Sequence, residues 1–185
     1  MGINNFFLGL LSAQFGVHAL WPLCFCYLLM WLCYRARVPF DGFYSSKARV
    51  VGLFVRAANH ACLVSSNILT FYFAAQAHIN IGVIAALFTT AVLYTTLLFR
   101  ATYGERIRWP CLAGMLTVCL GVAVISLGKE QTGSSGDIES GALFWAVMWA
   151  NLSGVFFASN ALIMRYYVQN CGFTVFQLNL DGFAL

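Results

Sequence analysis

Charge is what this sequence lacks most. Only 9% of its 185 residues are charged, against about 25% in an ordinary globular domain, and 61% are hydrophobic. A soluble fold of this length cannot hide so much apolar surface, whereas a lipid solvent removes the difficulty. Catalytic signatures are missing too. The chain has no H-E-x-x-H, no G-x-S-x-G and no phosphate loop. Its three histidines have no metal-ligand spacing, and its seven cysteines, an odd number, include no C-x-x-C pair. No catalytic residue, metal site or cofactor is therefore expected, and the chain reads as something other than an enzyme. The cysteines read as small hydrophobes inside apolar segments.

The N-terminus lacks a basic stretch and a small-residue cleavage site, so no cleaved signal is expected. A net charge of +4 is present, but the basic residues are scattered between apolar segments. That distribution gives no nucleic-acid surface.

What the chain does have is long apolar runs. Five stand out: 6–34, 50–76, 79–100, 110–128 and 141–168, and a sixth begins near 173. Each is long enough to cross about 30 Å of hydrocarbon as a helix. A barrel would show alternating segments of about ten residues, and none is visible. The expected fold class is all-α: a polytopic transmembrane bundle of five complete helices and the start of a sixth, with the lipid bilayer as its main partner.

Charge then orients the bundle. One set of loops carries Arg35, Arg37, Lys47, Arg49, Arg100, Arg106 and Arg108, with Arg165 at a helix end. The other set carries only Lys129, surrounded by Glu130, Asp137 and Glu139. The excess of Lys and Arg marks the cytoplasmic side, so loops 35–49 and 101–109 are expected there and the polar 129–140 loop on the far side. Which membrane is crossed stays open.

Polar residues within apolar segments are the functional candidates. Arg56, Asn59, His60 and Asn67 follow one stripe of the second segment. In lipid such a stripe turns to the bundle interior or to a water-filled cavity. Arg56 also has the alternative of snorkelling to the nearby interface. Asn59 and His60 are deeper, and either bond another helix or line a path. Gln14 and His18 on the first segment and Asn160 on the fifth are weaker candidates. Thr89 and Thr96 are expected to bond their own helix backbone. Gly114, Gly121 and Gly128 lie seven apart, a face expected to press on a neighbouring helix. Pro22, inside the first segment, is expected to kink it.

One stretch carries a resemblance. Gly104-Glu105-Arg106-Ile107 closes one apolar segment, and the next contains Gly114 and Gly121-Val122. The motif, spacing and order resemble the EamA-type half of the drug/metabolite transporter superfamily, which includes nucleotide-sugar carriers. The resemblance implies ten helices in two inverted repeats, with residues 1–128 forming most of the first and 141–185 opening the second. It also implies that the chain is incomplete, and that it pairs with a missing half or a second copy. Glu105 is expected in a loop ion pair or cap near Arg106 and Arg108. The function implied is alternating-access transport of a small organic solute; the alternative is an accessory or structural membrane subunit that transports nothing. A dimeric half-transporter of the small multidrug type ranks lower, because Gln14 and His18 stand where those relatives use a membrane-embedded Glu.

Overall fold

The computed structural model describes residues 18, 20–38, 46–78, 81–128 and 140–183. Among them every regular element is a helix, and no strand occurs. In chain order the helices are α1 (Leu20–Arg37), α2 (Lys47–Gln76), α3 (Ile81–Phe88), α4 (Ala91–Tyr103), α5 (Trp109–Gly128), α6 (Ser140–Cys171) and α7 (Val175–Phe183). At 1.5 Å per residue, α2 and α6, with 30 and 32 residues, extend for roughly 45 and 48 Å. Among the described residues Gly141–Cys171 is the helix long and apolar enough, by length and composition, to cross a membrane. Length suffices in α2 as well, but its polar stripe dilutes its hydropathy.

The expected segments shift in instructive ways. The described part of the first begins at Leu20, so most of 6–34 before it lies outside the described residues. Pro22 is the third residue described in α1, and the chain before it, on which the expected kink turns, lies almost wholly outside the described residues. The single helix expected over 79–100 is two. The chain tightens at Thr89–Thr90, where the Thr90 amide and hydroxyl both donate to the Leu87 carbonyl, at 3.1 and 2.6 Å. A side chain that competes for backbone acceptors in this way interrupts the regular ladder. Residues 129–139, most of the expected polar loop, lie outside the described residues. The sixth segment begins as α7, capped by the Thr174 hydroxyl, which accepts from the Gln177 amide at 3.1 Å.

Packing centres on α6, which runs along α2 and α4 and touches α3. Its inner seam is Ala142, Ala146, Ala150, Gly154 and Ala158, one small residue every fourth position, all buried. Small residues let helix backbones approach closely. Gly154 shows the effect: a Cβ there would stand 3.0 Å from the Tyr94 ring and 3.6 Å from Ala91 Cα of α4. Gly52 of α2 does the same under Tyr167 of α6, whose ring would be 2.5 Å from an added Cβ. One apolar cluster joins Ile68, Phe71 and Ala74 of α2 to Ile84 of α3 and Ala146 of α6. A second joins Leu53, Phe173 and Leu178 where α2, α6 and α7 meet.

The glycine face expected to press on a neighbour does not. Gly114 and Gly121 are exposed, and a Cβ at either would meet nothing within 4 Å. Leu116 and Val124 on the same helix are 64% and 68% exposed. α5 packs on α3, and among the described residues no large side chain is seated over these two glycines.

Candidate functional site

The α2 stripe does turn inward, and its members are met by α1, α6 and α7. Arg56 is only 2% exposed, which corrects the snorkelling alternative. Its Nη2 donates to Asn179 Oδ1 of α7 at 2.7 Å. Gly182, one turn further along α7, lets that helix settle on the arginine stem: a Cβ there would be 2.8 Å from Arg56 Cγ. Asn59 Nδ2 donates to the Phe156 carbonyl of α6 at 3.2 Å. His60 meets Tyr27 of α1 edge-on, with ring centroids 5.8 Å apart. Asn67 accepts a hydrogen bond from the Ser153 hydroxyl on α6.

The weaker candidates divide. Asn160 is half-buried on α6, one turn beyond the carbonyl held by Asn59, and its own Oδ1 is buried and meets no hydrogen-bond donor among the described residues. His18 is exposed. Gln14 lies outside the described residues. Tyr94 and Asn151 bind one another, the phenol donating to Asn151 Oδ1 at 2.9 Å. Thr96 donates to the Val92 carbonyl of its own helix at 2.8 Å.

The GERI residues have local roles. Gly104 is the left-handed cap of α4, with φ 67° and its amide donating to the Arg100 carbonyl at 3.0 Å. An added Cβ would meet nothing within 4 Å, so backbone conformation, and not room, selects glycine here. Glu105 forms an ion pair, but with Arg165 of α6 and not with the adjacent arginines. The Arg165 guanidinium also lies over the Tyr103 and Phe99 rings, at 4.3 and 5.1 Å.

One polar centre was missed from sequence. Asp181 of α7, 4% exposed, accepts from Trp31 Nε1 at 3.1 Å and from Arg35 Nε at 2.9 Å, and Arg35 Nη2 pairs with its second oxygen. This two-pronged contact is the strong form of a charged hydrogen bond. It ties the end of α1 to α7. The signal was available: Asp181 is the one acidic residue in the apolar stretch after 173, and Arg35 closes the first segment. Their separation in the chain hid the pairing.

Among the described residues no group of three or more His, Cys, Asp or Glu could hold a metal ion. No protein-family model, curated protein or solved structure matches the chain.

Proposed function

We propose that the chain is a multi-pass membrane protein that carries small organic solutes by alternating access. The observation that supports this reading is a surface rich in large apolar side chains around a core that also holds polar and charged ones. Arg56, Ser66, Thr70, Ser153 and Asp181 are buried, while Trp21, Phe25, Phe54, Leu116, Phe144 and Met148 are exposed. That arrangement suits a lipid solvent and a polar interior. The lengths of α2, α5 and α6 suit a bilayer, and the break at Thr89–Thr90 suits the discontinuous helices of carriers. The resemblance of Gly104–Ile107 and of the α5 glycines to the EamA-type transporters points the same way, with a ten-helix inverted-repeat fold as its implication. The path would run beside Arg56, His60 and Asn160, with loops 35–49 and 101–109 cytoplasmic.

A specific observation favours a second reading, a non-transporting accessory subunit. Asn59, Asn67 and Arg56 all spend hydrogen bonds on neighbouring helices, which is how a purely structural bundle would use them.

Uptake separates the two. The full chain in proteoliposomes is assayed against a panel of labelled organic solutes, with His60→Ala alongside. A carrier takes up at least one solute, and the variant loses that uptake. Unchanged uptake removes His60 from the path. Failure to move any solute, together with stable association with other chains, selects the accessory role.

A further inference from the structure

Three of the basic residues on the proposed cytoplasmic face are held by other elements, and of the rest Arg106 and Arg108 stand together at one cavity. Arg35 is held by Asp181, Arg49 donates to the Cys171 carbonyl at 3.1 Å, and Arg165 is held by Glu105 and two rings. These three fasten helices to one another. Arg106 and Arg108 have no such partner among the described residues, although they stand in the same short loop as Glu105. The carboxylate nearest to them in sequence is already committed to Arg165.

These two arginines line a cavity of about 290 Å³ between the end of α4 and the start of α5. Thr95, Thr96, Phe99, Ile107 and Cys111 contribute to its walls, and so does Glu105, whose carboxylate is paired with Arg165. The cavity therefore carries two guanidinium groups and one ion-paired carboxylate at its edge, with apolar or hydroxylic walls elsewhere. Both threonine hydroxyls donate to their own helix, Thr95 to the Ala91 carbonyl and Thr96 to the Val92 carbonyl, each at 2.8 Å. The opening turn of α5 adds partial positive charge. Trp109, beside Arg108, is 83% exposed, the type of residue that settles at headgroup level.

We propose that this cavity binds a phosphoryl anion through Arg106 and Arg108, with the headgroup of an anionic phospholipid as its occupant. Guanidinium forks match phosphate oxygens, and basic pockets between helices at the cytoplasmic interface attract such headgroups. Phe99 and Cys111 give the glycerol and upper acyl carbons an apolar wall. A free phosphate would use the same two arginines but gain nothing from that wall. The lipid assignment rests on the membrane reading; the anion site itself does not.

The test uses the purified full chain, titrated with phosphatidic acid, with phosphatidylcholine and with inorganic phosphate, and bound species counted by native mass spectrometry. Arg106→Gln/Arg108→Gln is compared with Arg100→Gln, which removes a nearby exposed charge that does not line the cavity. Each juxtamembrane arginine contributes about 1 kcal/mol toward anionic lipid, so the double variant is expected to bind phosphatidic acid about thirty-fold more weakly. Arg100→Gln is expected to change it by no more than about five-fold, the general contribution of one nearby charge. Phosphatidylcholine is expected not to bind. Inorganic phosphate that competes at equal concentration supports the anion site and assigns it to a free phosphate. Unchanged phosphatidic acid binding in the double variant, or an equal loss in Arg100→Gln, overturns the site. Retention of the wild-type chain in bilayers through an alkaline carbonate wash tests the membrane reading separately, so failure of either is distinguishable. Circular dichroism checks that the double variant keeps its helices.

Discussion

Helices α5 and α6 are both long and apolar, yet they take opposite places. α6 lies at the centre with small residues at every fourth position against α2, α3 and α4, while α5 leaves Gly114 and Gly121 uncovered. What separates them is not the presence of small residues but whether a neighbour fills the space they leave. Gly154 faces the Tyr94 ring, and on α2 Gly52 faces the Tyr167 ring. A small residue makes an interface only with a large side chain opposite to seat in it.

The comparison extends to the polar fastenings, and here the largest effect is expected. Asp181→Ala leaves Arg35 buried without its carboxylate, which should cost about 3–5 kcal/mol. Unfolding of the purified chain by SDS titration in mixed micelles reads this directly. A loss well under 1 kcal/mol would show that α7 is not held by this pair. Next is Gly52→Ala, whose new methyl would stand 2.5 Å from an aromatic ring atom. Overpacking of this kind costs about 1–3 kcal/mol in the same titration. The smallest effect belongs to Gly114→Ala. It meets open space and should be neutral or stabilising by up to about 1 kcal/mol through helix propensity. If Gly114→Ala destabilises as much as Gly52→Ala, the distinction between a glycine covered by a ring, as on α2, and one left open, as on α5, fails.

Much of this was legible from the residues alone. The apolar runs located α2, α5 and α6 to within a few residues at most ends, because continuous hydrophobicity and flanking charge are local properties. The inward turn of the α2 stripe was also legible, since the cost of exposing Arg56 or Asn59 to an apolar surround follows from residue type. Partners were not legible. Whether Asn59 meets a carbonyl or a ligand depends on where α6 lies, and no local rule gives that. The seven-residue spacing of glycines drew attention to α5, whereas the seam that packs is Ala142, Ala146, Ala150, Gly154 and Ala158. Alanines at a spacing of four attract less notice than glycines, although they serve close approach just as well. The Thr89–Thr90 break was hidden for a different reason: threonine is tolerated in apolar helices, and only its bond to the Leu87 carbonyl marks the turn.

The Arg35–Asp181 pair has a consequence in time as well as in space. Its two residues are 146 positions apart. At the usual pace of synthesis, about 5–20 residues per second, Arg35 leaves the ribosome roughly 7 to 30 s before its partner exists. Through that interval the last turn of α1 carries a guanidinium whose carboxylate partner has not yet been made. Among the described helices α1 is made first, and its tie to α7 waits for a residue 146 positions further along the chain.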